Sequence, residues 1–125
     1  MTHRLVLTPG EPAGIGPDCC LLAAQHALPC DVVVVGSQAL LEARAAALGL
    51  QCHFRPFEHH RVEKPQPNTL TVLDIPLEAP CTPGQLAVRN AAYVIRTLET
   101  AAELCLAGLA QGLVTVSYTH LTLPT

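Results

Sequence analysis

The chain has 125 residues, of which 50% are apolar and 14% are charged, and its formal net charge is -3. This length and apolar content suffice for one ordinary domain with a buried core. The few Lys and Arg residues are scattered, which argues against nucleic acid or an anionic membrane surface as the partner and favours a small molecule.

Cysteine usage and the N-terminus indicate the compartment. The six cysteines show no CxxC spacing, and we expect reduced, mostly buried thiols. No cationic stretch leads into a long apolar segment, and the longest apolar tract, residues 19–36, is interrupted by polar residues and a proline. The pattern predicts no signal peptide and no membrane span, so we expect a cytoplasmic protein.

The first half of the chain alternates strand and helix patterns. Apolar runs predict strands at 4–8 and 31–35, and the second run lacks polar alternation, as in a strand covered on both faces. Helical patterns follow both strands, one at about 17–26 and one from an N-cap at Ser37 to a glycine stop at Gly49.

The second half contains three further strand patterns, at 52–57, 69–74 and 112–115. Between the last two, Thr82-Pro83-Gly84-Gln85 matches a capping box, and an apolar helical face continues to a stop at Gly108. The order β, α, β, α, β, β, α, β predicts an α/β fold whose sheet is mainly parallel, with flanking helices.

The loop after the first strand reads TPGEPAGIGPD, Thr8 to Asp18. Its glycines fit neither G-x-G-x-x-G nor G-x-x-x-x-G-K-[ST], and Glu11 and Asp18 offset the attraction of a helix start for a bare phosphate. A ligand hydroxyl, or the ribose or amide of a cofactor, is easier to accommodate, and a plain Gly/Pro strand-to-helix turn remains the alternative. Because ligands gather at the carboxyl ends of parallel strands, the candidate cleft residues are Glu11, Gly14, Gly16 and Asp18.

This string resembles the N-terminal signature of the 4-hydroxythreonine-4-phosphate dehydrogenase family. Further stretches resemble family segments in the same order, and the resemblance covers residues 4–115. They are Arg44-Ala-Ala-Ala-Leu-Gly-Leu50 (family RAAxLGL), Arg55-Pro-Phe57 (RPY), Ala79 to Asn90 (APVxxGQLxxxN) and Gly112-Leu-Val-Thr115.

The resemblance implies a fold and an assembly. The family has two α/β domains with the active site between them in a homodimer, and it is related to the isocitrate and isopropylmalate dehydrogenases. This chain would be the truncated N-terminal part of that two-domain fold. The opening loop would belong to the cleft, because the related dehydrogenases have a comparable acid-and-glycine turn after their first strand.

The resemblance also implies a reaction on a small phosphorylated substrate. The family oxidises the 3-hydroxyl of 4-phosphooxy-L-threonine with NAD or NADP, and the 3-oxo acid decarboxylates to 3-amino-2-oxopropyl phosphate in pyridoxal 5′-phosphate biosynthesis. A divalent metal (Zn, Mg or Co) suits both steps, because a Lewis acid stabilises the alkoxide and then the enolate. A related dehydrogenase that oxidises 4-phospho-threonate or erythronate in sugar-acid catabolism stays an open alternative.

The resemblance stops at Thr115, where the family continues with Gly-Pro-Val-His-Lys. This chain ends instead in VSYTHLTLPT, residues 116–125, which resembles the translation of a transposase adaptor used in preparing sequencing libraries. We therefore expect residues 1–115 to be a partial N-terminal α/β domain and residues 116–125 to be a non-native tail. The family's metal-binding histidines and most of its cofactor site lie downstream, so the resemblance assigns no catalytic residue and no metal ligand here. The chain alone is expected to be inactive.

Four other polar positions lie outside the opening loop. We interpret His59 and His60 as part of a solvated polar connection rather than as metal ligands. For Asn90 we expect solvent exposure rather than a position facing the cleft, because Asn is mostly a surface residue. Thr115 resembles the start of the family's Thr-Gly-Pro turn, whose backbone N–H groups would meet a phosphate, but the Gly-Pro is missing here.

Overall fold

A computed structural model describes residues 3–58, 64–81 and 90–115 of the chain. The described residues form the strands and helices in the order that the sequence predicts. The elements are β1 (Arg4–Thr8), α1 (Gly16–Ala23), β2 (Asp31–Gly36), α2 (Gln38–Leu48), β3 (His53–Pro56), β4 (Thr69–Asp74), α3 (Ala91–Leu106) and β5 (Gly112–Thr115). The predicted capping box at 82–85 lies outside the described residues.

Within those ranges, the five strands form one sheet in the order β3-β4-β2-β1-β5, and every neighbouring pair is parallel. In the register of the sheet Val6 lies beside Val33, and Val33 lies beside Thr71. The expectation of a mainly parallel α/β sheet with flanking helices is confirmed. The valine run of β2 suits its central position, because β4 and β1 flank it and helices cover both of its faces.

The helices pack on opposite faces of the sheet. Because side chains alternate along a strand, Leu7 and Val34 point to the face covered by α1 and α2, whereas Val6 and Val35 point to the face covered by α3. The core on the first face contains Cys20, Leu21, Ala24, Val34, Leu41, Ala45, Leu70 and Val72. The core on the second face contains Val6, Val35, Ile75, Tyr93, Val94, Ala101, Leu104 and Ala110.

At the amino ends of the strands, a buried ion pair fixes β1 against β2. Arg4 Nε donates to Asp31 Oδ2 at 3.1 Å, and the two side chains are 3% and 2% exposed. The rest of the guanidinium donates to the carbonyls of Leu109 and Glu58 at 3.2 and 3.3 Å and lies 4.8 Å from the centre of the Phe57 ring. A buried charge needs this many partners because its desolvation is costly.

Both ends of α2 are capped as the sequence predicts. Ser37 Oγ accepts from the Leu40 N–H at 3.2 Å, and Asp74 Oδ1 accepts from the Gln38 N–H at 2.9 Å. The helix ends at Gly49, whose φ of 68° lies in the left-handed region that glycine adopts without strain. These caps fix the start of α2 at the carboxyl end of β2.

The six cysteines are free thiols, but the expectation that most are buried is wrong. Cys20 is buried, Cys19 is exposed, and the other four have intermediate exposure. Cys19 and Cys20 are adjacent on α1, and only Cys20 points into the core beneath that helix. No helix within the described part of the chain is long and apolar enough to cross a membrane.

Candidate active site

The loops that follow the strands lie together at one edge of the sheet, at the carboxyl ends of the strands. β1 and β2 lead to α1 and α2 on one face, whereas β4 leads to α3 on the other face. The loops after β2 and β4 therefore diverge, and the Gln38–Asp74 hydrogen bond lies at the point of divergence. Crevices of this kind, outside the carboxyl ends of parallel strands, are where α/β proteins bind ligands.

The opening loop forms an ordered turn around Glu11. The Glu11 carbonyl accepts from the Gly14 N–H at 3.0 Å, and the Glu11 carboxylate accepts from the Ala13 N–H at 3.3 Å through Oε1. Gly10 has a φ of 81°, and a Cβ on Gly14 would lie 3.3 Å from the Glu11 carbonyl oxygen. The loop thus holds the Glu11 carboxylate in a fixed position at the edge of the sheet.

Gly16 and Asp18 belong to the first turn of α1. Gly16 is buried at the start of the helix, with Pro17 beside it. Both carboxylate oxygens of Asp18 are bound by Arg44 of α2, Oδ1 by Nε at 2.8 Å and Oδ2 by Nη2 at 2.9 Å. The charge of Asp18 is therefore matched by a cation, and this hydrogen bond in turn raises the pKa of Arg44. A role for Gly16 or Asp18 in a cleft stays a prediction.

The expectation that Asn90 is exposed is wrong, because only 1% of this residue is accessible. Its Oδ1 accepts from the Ala79 N–H at 3.0 Å and ties the start of α3 to the connection after β4. Its Nδ2 is buried without a hydrogen-bond partner in the part of the chain that the structure describes. Asn90 is thus a structural contact at the carboxyl edge, which its residue type alone does not reveal.

Two threonines end adjacent strands at this edge. Thr8 lies beside Thr115 in the register of β1 and β5. Thr8 is fully buried and its Oγ1 has no partner among the described residues, whereas Thr115 is exposed. The turn that would follow Thr115 lies outside the described residues, so its predicted contact with a phosphate stays a prediction.

A further residue, Cys81, lies near charged groups at this edge of the sheet. Its thiol pKa is raised by burial and by the charge of Glu11, and it is lowered by the charge of Arg44. Cys81 therefore lies within electrostatic reach of both Glu11 and Arg44. Because the net effect raises the pKa, the thiol stays protonated near neutral pH and is a poor nucleophile. The sequence reasoning did not single out Cys81 or Arg44 as site residues, although Arg44 opens the RAAALGL segment that carried part of the resemblance.

The residues that the structure describes do not form a metal centre. Across 3–58, 64–81 and 90–115, no group of three or more His, Cys, Asp or Glu side chains could hold a metal ion. His3, His26 and His53 are exposed. His59, His60 and His120 lie outside the described residues.

A wide groove of about 770 Å³ lies at the opposite edge of the sheet, between the end of α2 and the starts of β3 and β4. Its lining includes Leu50, Cys52, His53, Phe54 and Asn68. None of the four predicted cleft residues lines it. The groove is therefore separate from the candidate site.

A parallel sheet covered by helices on both faces, with polar loops at the carboxyl ends of its strands, defines the class of open-sheet α/β ligand-binding proteins. The protein family described as "Pyridoxal phosphate biosynthetic protein PdxA" matches residues 29–123. The chain belongs to this family. The matched range extends into residues 116–125, and the non-native origin of that tail stays a prediction.

Individual relatives agree with this assignment. The 4-hydroxythreonine-4-phosphate dehydrogenase of Colwellia psychrerythraea is 43% identical over 116 residues, which cover 92% of this chain and 36% of the relative. The enzyme of the same name from Citrobacter koseri is 48% identical over 114 residues, or 90% of this chain and 35% of the relative. The chain thus spans about 36% of the length of the relatives it matches.

A solved structure shares the fold. The crystal structure of 4-hydroxythreonine-4-phosphate dehydrogenase from Klebsiella pneumoniae superimposes with a TM-score of 0.82 at 27% identity, and the match covers 92% of this chain and 37% of that one. The described α/β unit therefore has the same fold as a part of that longer chain.

Proposed function

We propose that the full-length protein containing this α/β unit oxidises 4-phosphooxy-L-threonine with NAD or NADP in pyridoxal 5′-phosphate biosynthesis. The oxidation gives the 3-oxo acid, which decarboxylates to 3-amino-2-oxopropyl phosphate. The observation that carries the proposal is the 43% and 48% identity to enzymes named for this substrate over at least 90% of the chain. The names of these relatives favour it over the 4-phospho-threonate or erythronate reaction.

The opening loop would form one wall of the active-site cleft. Glu11 is fixed by its hydrogen bond to Ala13, and its second carboxylate oxygen has no protein donor among the described residues. A carboxylate held in this way suits a hydroxyl donor, such as that of a ribose or of the substrate. It repels a phosphate, so the phosphate of the substrate would bind elsewhere in the full-length protein. Gly14 is exposed and would allow the ligand to approach the backbone closely, whereas Gly16 is buried and would act through the start of α1.

The cofactors and the assembly belong to the same proposal. NAD or NADP supplies the hydride acceptor, and a divalent metal would stabilise the developing alkoxide. The described residues do not fit a metal site, so its ligands would lie in the rest of the protein. We also propose a homodimer that works in the cytoplasm.

We further propose that residues 1–115 are part of the first α/β domain and that residues 116–125 are not encoded by the native gene. The 125-residue chain would then have no dehydrogenase activity of its own. The carboxyl edge described above would form only one side of the cleft.

Two measurements test the proposed function and the proposed tail. Genomic DNA is sequenced past the codon of Thr115, and the full-length protein is assayed for reduction of NAD and NADP with 4-phosphooxy-L-threonine. The expected result is a continuous reading frame that departs from VSYTHLTLPT, and turnover of this substrate in preference to 4-phospho-threonate and 4-phospho-erythronate. Failure to oxidise any of the three would refute the family reaction, and a native stop after residue 125 would refute the foreign tail.

A further inference from the structure

Three elements meet in a buried junction at the end of β2. Tyr93, on α3, is completely buried, and its hydroxyl oxygen accepts from the Ser37 N–H at 2.9 Å. A Cβ on Gly36 would lie 3.0 Å from that hydroxyl oxygen and 3.1 Å from Cγ of Pro9. The missing side chain at position 36 therefore makes room for a hydroxyl from α3 and for the first ring of the opening loop.

The junction links the loop to the far face of the sheet. Pro9 is the first residue after β1 and leads directly into Gly10, whose positive φ turns the chain. The proline ring has a fixed φ, so its position determines the direction in which the loop leaves the strand. The buried Tyr93 ring is held by the core around Val6, Val35 and Val94. The Tyr93 hydroxyl and the Pro9 ring therefore border the same space beside Gly36, so α3 and the loop come together at this point.

From this geometry we infer that Tyr93 is a positioning residue for the proposed active-site loop at 9–15. The absence of a side chain at Gly36 provides the space that the Tyr93 hydroxyl occupies. This inference rests on the proposed function for its effect on catalysis. Its structural part does not, because the Ser37–Tyr93 hydrogen bond and the close approach of Pro9 to Gly36 are independent of which ligand binds.

The test compares Tyr93→Phe, Gly36→Ala and the double variant in the full-length protein. Tyr93→Phe keeps the buried ring and removes the hydroxyl that accepts from the Ser37 N–H. Leaving the buried Ser37 N–H without an acceptor costs a free energy that corresponds to about a tenfold change in an equilibrium constant. We expect amide hydrogen exchange across residues 9–16 to accelerate about tenfold, and KM for the nucleotide or the phosphorylated substrate to rise by a similar factor. Gly36→Ala is expected to do the same by pushing the hydroxyl and the proline ring apart.

The double variant provides the sharper readout. Removing the hydroxyl removes the closest of the contacts that a Cβ at Gly36 would make and leaves those to the Pro9 ring at 3.1 and 3.4 Å. Gly36→Ala should therefore change KM and loop exchange by about threefold or less in the Tyr93→Phe background, against about tenfold alone. Independent, multiplicative effects would overturn the inferred link between the two positions.

Thr97→Val is the matched control. It removes another buried hydroxyl from α3, one that donates to the Val94 carbonyl at 2.7 Å within the same helix. We expect it to leave KM and exchange in residues 9–16 at the wild-type level.

The measurements also separate positioning from a merely structural role. KM does not depend on how many molecules are folded. A Tyr93→Phe protein that melts at a lower temperature but keeps the wild-type KM and loop exchange would therefore overturn the inference. If wild-type protein oxidises none of the substrates, the proposed function fails, and the exchange data alone decide whether Tyr93 positions the loop.

Discussion

Glu11 and Asp18 occupy the same loop-and-helix segment, but their surroundings differ. Asp18 is bound through both oxygens by Arg44, whereas Glu11 forms no ion pair within the described residues and is held only by the Ala13 N–H. Glu11 is therefore the acid that we propose for the ligand contact. Arg44 reduces the net negative charge of the edge, so the loop would repel an anionic substrate less than its two acids suggest.

This difference predicts that Glu11→Gln lowers kcat/KM of the full-length enzyme by about tenfold or more, because hydrogen bonds to a charged acceptor contribute about 1.5–3 kcal/mol. Steady-state NAD reduction measures the effect. Glu42→Gln is the matched control, since Glu42 is an exposed acid on α2 that accepts from Gln38 in the same helix. Equal kinetics for Glu11→Gln and wild type would exclude Glu11 from the ligand contacts.

The contacts of some single residues could not be predicted from the sequence. The spacing of glycines and acids predicted a turn at the end of β1, because Gly and Pro impose local backbone geometry. It could not predict that Arg44 of another helix binds Asp18, since that pair depends on how α1 and α2 pack. The burial of Asn90 likewise follows from the tertiary contact with Ala79, which overrides the general preference of Asn for the surface.

The elements themselves were more predictable than their contacts. Local signals carried most of the prediction: the valine run of β2 and the Ser37 and Gly49 caps of α2 all lie where the sequence placed them. The order of the strands in the sheet was not predicted. Placing β5 beside β1 requires α3 to cross the sheet on the face opposite to α1 and α2, and local propensity carries no information about that crossing.

Gly49, at the C-terminal end of α2, allows the energetic cost of the left-handed backbone conformation to be measured. Gly49 has a φ of 68°, and a Cβ added there would meet nothing within 4 Å. Gly49→Ala therefore changes only the backbone preference: strain of about 1–2 kcal/mol in the left-handed region, partly offset by a less flexible unfolded chain. We expect a loss of about 1 kcal/mol in the free energy of unfolding, measured by urea denaturation of the full-length protein.

Gly49→Asn separates this strain from a general effect of adding a side chain. Asn adopts the left-handed conformation more readily than Ala, so its cost should be smaller by several tenths of a kcal/mol. Equal losses for the two variants would point to a steric contact and contradict the conformational explanation.

At the scale of the whole molecule, one side of the sheet is incomplete within the described residues. β5 pairs with β1 on one side only, and its side chains are poorly covered, with Leu113 39% and Val114 49% exposed. In contrast, the central β2 has neighbours on both sides, and its Val33, Val34 and Val35 are fully buried. An edge strand with apolar side chains and unpaired backbone groups is a template for association with another chain. The relatives are almost three times as long as the matched segment, which leaves room for further chain to cover this strand.

These features predict that residues 1–125, expressed alone, self-associate through β5 and do not reduce NAD with any of the three substrates. Val114→Lys should shift the chain toward monomer in size-exclusion chromatography with light scattering, because a charge on an edge strand opposes pairing. Ile95→Lys is the matched control: Ile95 is 50% exposed on the outer side of α3, so the same change in polarity is made at nearly the same exposure but away from the edge. If Ile95→Lys disperses the chain as well as Val114→Lys does, general solubility rather than the β5 edge drives association. A monomeric wild-type chain with dehydrogenase activity would mean that this α/β unit is sufficient by itself.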